Sequence, residues 1–570
     1  MEAPVATGVS ARTRVARGPG PWLLTAAAVL AGMVVAVPIL SVLLSLANPV
    51  HAVWAHLWRT QMVELLGNTL ALMLGVGLGS LGLGVALAWL VVFFEFPGRR
   101  GFEWALVLPL ALPAYVIGFV FLGIFEFAGP LQTALRQVAG PELRLPDLRS
   151  GWGVVVVMTL VLYPYVYTLA RAAFLEQSPE AFESARSLGR SRARAFWDVS
   201  LPLARPAVVA GTTLACMEAL ADYGTVATFS YRTLTEAIYR VWHGMFDRLA
   251  ATQLAVVLLG LSACLILLER SSRGRARFTQ GRRPTHAPAR MRLAGGRALA
   301  AAGGCAAVWI LAFGLPVGQL LVWAVTVLRR DGLPRGFLPA LGNSLGLAAM
   351  AAGLTLGVAL VLAYALRLRP SRGVAALVRG ASLGYALPGA VIAVGVLLPL
   401  STLDHALAAA AERILGLDAG LLLTGTAGAL LYAYLVRFLA VSLQAVEATL
   451  ARIPRSFDEI ARSLGAGAGR TLRAVHVPLI RRGLLAALLL VFVDVMKEMP
   501  ATLLLRPLSL DTLAIAVYQR TAESLWEEAA VPALALVLAG LVPVVLLLRT
   551  TGGSNRPGLP AILPGGDPIP

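Results

Sequence analysis

Apolar stretches of roughly 18–25 residues recur about twelve times along this chain, each the length needed to cross a hydrocarbon core about 30 Å thick. Lipid offers backbone N–H and C=O groups no partners, so runs of this length must satisfy their own hydrogen bonds as helices. The pattern predicts spans over 22–46, 69–93, 104–125, 151–171, 206–229 and 253–269, then 298–327, 344–366, 380–400, 420–443, 483–505 and 530–549. With 58% hydrophobic and only 14% charged residues, the expectation is an all-α multi-pass membrane protein.

The net charge of +18 does not point to nucleic acid, because the arginines sit in short hydrophilic stretches between apolar runs rather than on one face. A cytoplasmic N-terminus places Arg99, Arg100, Arg186–Arg194 and the joint 271–297 on one side, and the positive-inside rule makes that side cytoplasmic, with both termini. The first run, Pro21–Ala47, is too long for a signal peptide and reads as a retained helix. Lys497 is the sole lysine and lies in Val-Met-Lys-Glu, which excludes a Gly-Lys-Ser/Thr phosphate loop, so no ATP site is expected in this chain. Cys216, Cys264 and Cys305 fall inside apolar runs without metal-ligand spacing and read as small buried hydrophobes.

The chain repeats itself. Leu66-Gly67-Asn68-Thr69-Leu70 returns as Leu341-Gly342-Asn343-Ser344-Leu345 (341 − 66 = 275), and Leu112-Pro113-Ala114 returns as Leu387-Pro388-Gly389 at the same offset. Ala185-Arg186-Ser187-Leu188-Gly189 returns unchanged as Ala461-Arg462-Ser463-Leu464-Gly465, offset by 276. Six spans per copy is an even number, so the copies enter the membrane the same way round and are parallel repeats about an axis along its normal. The expected organisation is an N-terminal tail (1–20), a first repeat (21–270), a basic linker (271–297), a second repeat (298–549) and a tail (550–570). The linker, rich in Arg, Gly and Pro, reads as a flexible joint, and the tail as disordered.

Between the fourth and fifth spans of each repeat runs a hydrophilic loop with duplicated spacing. Glu183 and Ala185 are followed by Gly189, and Pro202 comes 13 residues later; Glu459, Ala461, Gly465 and Pro478 keep the same intervals (202 − 189 = 478 − 465 = 13). Each copy predicts a short helix ended by a glycine at positive φ, then a second helix that stops near the proline. Beyond it, Glu218 and Asp222 in the fifth span match Asp494 and Glu498 in the eleventh, each pair i, i+4 and so on one helical face. An ionised carboxylate at mid-membrane costs about 3 kcal/mol, so these pairs need partners or water. Two readings stand at this point: they line a cavity between the repeats, with Lys497 offsetting the second pair, or they hydrogen-bond to neighbouring helices. No His/Tyr/Cys cluster stands out along the spans.

The duplicated loop resembles the EAA motif of binding-protein-dependent ABC importer permeases, with Ser184 and Ile460 where the motif has its middle alanine. That resemblance implies a type I importer permease of the bacterial inner membrane, whose two loops are coupling helices docked on two ATP-binding subunits. Glu183, Ala185, Gly189 and Pro202, and Glu459, Ala461, Gly465 and Pro478, are then the coupling residues. ATP and Mg would be held by those subunits and no cofactor by this chain, with an extracytoplasmic substrate-binding protein on the other face. The segments Glu218–Val226 with Ala237–Arg240, and Asp494–Thr502 with Leu503–Pro507 and Asp511–Ala514, resemble fused ferric-iron importer permeases; thiamine, polyamine and phosphonate permeases are related alternatives. A proton-coupled carrier using the same carboxylates is the rival from another class, but it has no need of two duplicated loops. A membrane enzyme would need a nucleophile–base or metal constellation, and none stands out.

Overall fold

In the computed structural model the described residues are 20–48, 52–177, 179–273, 290–368, 370–382, 384, 387–416 and 420–552. The first repeat contributes α1 (Gly20–Leu44), α2 (Met62–Phe93), α3 (Ala114–Phe125), α4 (Gly151–Glu176), α5 (Leu201–Ala221) and α6 (Arg248–Arg273). The second contributes α7 (Gly295–Arg330), α8 (Phe337–Leu368), α9 (Gly389–Leu415), α10 (Ala427–Leu450), α11 (Val477–Lys497) and α12 (Trp526–Gly552). Among the described residues ten helices are long and apolar enough to cross a membrane; α11 and α12 stand where the repeat puts the eleventh and twelfth spans.

Each half is built on one triangle, α2–α4–α5 and α8–α10–α11. Equivalent residues open the middle helix of each: the Ser150 hydroxyl accepts from Gly153 N–H at the start of α4, and Thr426 from Ala429 N–H at the start of α10. The outer helices interlock the halves. α1 crosses to pack on α8 and α9, and α7 reaches α3 and α4 while lying along α12. Ser41 of α1 donates to the Gly395 carbonyl of α9 at 2.6 Å, where a Cβ on Gly395 would sit 2.4 Å from the Pro38 carbonyl oxygen.

The ends of the basic linker are ordered: α6 continues through Arg273, and β2 (Met291–Arg292) pairs in parallel with β1 (Phe94–Glu95) at the foot of α2. Residues 274–289 between them, 1–19 and 553–570 lie outside the described residues.

Two expectations need correction. The prolines of the duplicated loop do not stop a helix. Pro202 and Pro478 sit in the first turn of α5 and α11, each entered through a π-turn, Phe196–Ser200 and Leu472–His476. A first-turn proline gives up an N–H that has no intrahelical partner, and the wider turn makes room for its ring. The fifth and eleventh spans also begin and end earlier than the apolar runs suggest, because α5 breaks at Asp222 and α11 at Glu498, both extended. Short helices follow, Gly224–Thr228 and Leu234–Tyr239 in the first half, Pro500–Leu505 and Leu513–Ala522 in the second.

The repeated Leu-Gly-Asn-Thr/Ser-Leu sequence fastens those short helices to α2 and α8. Asn68 Nδ2 donates to the Arg232 carbonyl at 3.0 Å and Thr69 Oγ1 accepts from Leu234 N–H at 3.0 Å. Asn343 and Ser344 make the same two bonds to Asp511 and Leu513, at 2.9 and 2.8 Å.

Candidate functional site: two elbows and the cavity between the halves

On one face of the molecule the duplicated loops form matching elbows. The helix Pro179–Ser187 leads to Gly189 at φ 83°, and Ser456–Ser463 leads to Gly465 at φ 75°. Both bends close with the same pair of bonds: Gly189 N–H to the Arg186 carbonyl and Arg190 N–H to that of Ala185, then Gly465 to Arg462 and Ala466 to Ala461. This is the double-bonded helix stop whose residue after the cap must be left-handed, hence glycine. Ala185 and Ala461 are buried beneath the bend at 7% exposure each, and Glu183 and Glu459 face solvent. The elbow tips carry Leu188 and Leu464, 83% and 81% exposed at equivalent positions. Two bare leucines on arginine-rich tips form a pair of apolar knobs.

From the elbows α5 and α11 run about 30 Å inward and end at the acidic pairs. Glu218, Asp222, Asp494, Lys497 and Glu498 all line one cavity of about 150 Å³ between the halves, together with Arg437, Tyr115 and Met499. The i, i+4 spacing placed each pair on one face, and both faces do meet here, but the helix breaks split their roles. Asp222 Oδ1 accepts from Thr225 N–H at 2.7 Å and Glu498 Oε1 from Ala501 N–H at 2.9 Å, so each caps the short helix that follows. Glu498 also lies 3.3 Å from Arg437 Nε. Lys497 crosses between halves to donate to the Leu110 carbonyl at 2.7 Å. Glu218 and Asp494, one turn earlier, stay on regular helix beside the cavity. The Tyr115 side chain is 6% exposed, and its hydroxyl has no hydrogen-bond partner among the described residues. Four carboxylates thus face two cations, Lys497 and Arg437. Among the described residues, no three His, Cys, Asp or Glu side chains converge as a metal site.

A second chamber of about 550 Å³ lies beyond the helix breaks, on the side away from the elbows. Tyr223, Glu236, Tyr239, Arg240 and His243 of the first half and Arg506 and Tyr518 of the second line it, and it shares no lining residue with the inner cavity. Tyr223 and Tyr518 meet hydroxyl to hydroxyl at 2.8 Å, and the Tyr239 hydroxyl donates to the Pro500 carbonyl, so both contacts join the halves. The halves touch closely below them, where a Cβ on Gly224 would come within 2.4 Å of the Met499 methyl. Burial pushes the Glu236 carboxyl above its usual range, with Arg240 pulling the other way. Reading along the spans missed this cluster because two of its three tyrosines lie in the short helices after the breaks; the hint was the helix-capping acid just before Tyr223.

Interlocked, parallel six-helix halves with paired elbows on one face and a polar cavity on the axis define a membrane transport subunit of the type I ABC permease fold. The chain belongs to the binding-protein-dependent transport system inner membrane components, whose family model matches residues 80–271 and again 353–552. It is 30% identical over 537 residues to the Fe(3+)-transport system permease protein FbpB 2 of Haemophilus influenzae, covering 93% of this chain and 98% of that one. The molybdenum transport system permease protein ModB of Escherichia coli is 28% identical over 229 residues, 38% of this chain and 96% of its own. The sulfate transport system permease protein CysT of Salmonella typhimurium is 28% identical over 225 residues, 37% of this chain and 78% of its own. Those single-unit permeases match less than half of this chain, as expected where one polypeptide holds two permease repeats.

Proposed function

We propose that this chain supplies both permease halves of a ferric-iron importer, driven by two ATP-binding subunits docked on its two elbows. The observation that carries the coupling half of this reading is the equivalence of the elbows: one bend, one buried alanine and one bare leucine each, at the foot of helices that end at the inter-half cavity. Glu183, Ala185, Gly189 and Pro202, with Glu459, Ala461, Gly465 and Pro478, are the coupling elements. ATP and Mg stay with the partner subunits. Closure of those subunits draws the elbows together and rocks the halves between two states. The elbow face is then cytoplasmic, with both termini, and a substrate-binding protein delivers cargo to the opposite face. Iron as cargo is supported by the near full-length similarity to an Fe(3+)-transport permease and by the carboxylate excess in the cavity. Glu218, Asp222, Asp494, Lys497 and Glu498 form the translocation pathway, with Asp222 and Glu498 also fixing the helix breaks.

Proline cannot adopt the φ of either bend. Gly189→Pro and Gly465→Pro are therefore expected to insert into the membrane yet abolish uptake of radiolabelled ferric iron and the stimulation of ATP hydrolysis. Normal uptake and stimulation in both would defeat the coupling assignment. Uptake of thiamine, a polyamine, a phosphonate, sulfate or molybdate instead of iron by the intact system would defeat the cargo.

A further inference from the structure

We propose that the floor of the outer chamber is a transient ferric-ion site, in which Tyr223 of the first half and Tyr518 of the second supply adjacent oxygen ligands. The inference rests on the iron reading above and adds the place where iron first meets the permease.

The two hydroxyl oxygens stand 2.8 Å apart. Octahedral coordination with metal–oxygen bonds of about 2.0–2.1 Å puts neighbouring ligand oxygens about 2.8–3.0 Å apart, so two phenols held at hydrogen-bond distance can take one edge of the octahedron of a small hard cation with little movement. The donor chemistry agrees: phenolate and carboxylate oxygens are hard ligands, and Glu236 stands in the same chamber with Oε2 buried and without a hydrogen bond among the described residues. Each arginine of the chamber has a carboxylate beside it. Arg240 lies 3.4 Å from Glu236, and Arg506 is paired with Asp511. Tyr239 is a positioning residue: its ring stacks on Tyr223 with centroids 3.8 Å apart, while its hydroxyl is held by the Pro500 carbonyl.

The site is not a product of the internal repeat. The position equivalent to Tyr223 is Met499 (223 + 276), and the matched bonds of Asn68 and Asn343 set an offset of 279 beyond the breaks (511 − 232), which makes Tyr239 the equivalent of Tyr518 (518 − 279); the counterpart of the phenol pair is therefore Met499 with Tyr239, and the pair itself occurs once, on the seam. One ligand from each half also means that any movement parting the halves there splits the chelate, as a conduction site that must let go requires. On binding, two phenol O–H bonds break, their protons pass to water in the chamber, two iron–oxygen bonds form, and two ligands of the delivering chelate are displaced. Iron stays ferric and nothing is oxidised.

The test uses the purified permease with its ATP-binding subunits and ferric nitrilotriacetate as the probe. A visible phenolate-to-iron charge-transfer band is expected for the parent complex. Tyr223→Phe and Tyr518→Phe, which delete only a hydroxyl, should each weaken iron binding at least about tenfold and bleach the band. Tyr518→Glu, which restores an oxygen donor, should recover iron binding with a weaker band. A parent complex that imports ferric iron but shows no band, or a band unchanged in the Tyr223→Phe/Tyr518→Phe double variant, overturns the site and leaves the iron reading standing. Absence of both band and ferric-iron uptake, with another solute imported, overturns the iron reading and the site with it.

Discussion

The two elbows share a bend and differ in what anchors it. In the first half the anchor is aromatic: Phe182 of the elbow helix packs on Phe93, which meets Phe174, and Phe174 and Trp89 both pack on Phe196. In the second half the equivalent of Phe182 is Asp458 (182 + 276), and the anchor is ionic. Arg367 at the end of α8 donates to Asp458 at 2.7 and 2.9 Å and to the carbonyls of Leu450 and Ile453 at 2.6 and 2.9 Å. His476 Nε2 lies 2.9 Å from the other Asp458 oxygen, with Tyr364, where the first half has Trp89, edge-on to its ring. Conserving the bend while exchanging the anchor fits the proposed coupling role, in which an elbow must keep its shape and its firm attachment whereas the chemistry of attachment is free to drift. The two attachments are nevertheless unlike in how they fail. An aromatic cluster loses contact area piecemeal, while a buried ion pair loses its balance of charge at once.

The largest expected effect follows from that difference. Asp458→Ala leaves the Arg367 guanidinium, whose side chain is 11% exposed, without its carboxylate, and is expected to cost about 3–5 kcal/mol. The double variant Arg367→Met/Asp458→Leu removes both charges and should return to within about 1–2 kcal/mol of the parent, since buried pairs are often replaceable by apolar groups of similar volume. Thermal unfolding of the purified permease measures both. Equal losses in the single and double variants would mean that the network matters for its geometry and not for charge balance, and the contrast between the elbows would dissolve.

Next in size are the bends. A Cβ at Gly189 or Gly465 meets nothing within 4 Å, so alanine there is penalised only by backbone conformation, about 1–2 kcal/mol for a left-handed residue. Because φ is nearly the same at both, 83° and 75°, Gly189→Ala and Gly465→Ala should lower stability equally despite their different anchors. A clear inequality in the unfolding midpoints would show that the anchor sets the strain a bend can bear.

How much of this was legible beforehand depended on whether the signal was local or duplicated. The spans, the repeat and the elbows were visible because apolar length and a fixed offset are one-dimensional properties. The breaks at Asp222 and Glu498 were not, because the apolar runs continue past them and only the capping bonds to Thr225 and Ala501 reveal the stop. Equal i, i+4 spacing suggested one shared role for Glu218 and Asp222, whereas the chain turns between them and makes the second a cap. The contact of Tyr223 with Tyr518 joins residues 295 apart, and no periodicity connects them.

The smallest effect on the permease itself is expected at the elbow tips, and it separates stability from coupling. Leu188 and Leu464 are so exposed that replacing either with serine should leave the unfolding midpoint within about 0.5 kcal/mol of the parent. If each leucine is buried on docking, its loss removes about 1.5–3 kcal/mol of apolar burial from contact with an ATP-binding subunit, a weakening of roughly tenfold to a hundredfold. Co-purification of the ATP-binding subunits with Leu188→Ser, Leu464→Ser and the double variant reads this directly. Two elbows that share a bend and a bare tip but differ in their inner anchors should lose affinity to the same degree at either tip. Losses confined to one tip would mean that the partner senses the anchor through the bend, and that the aromatic and ionic attachments transmit force unequally.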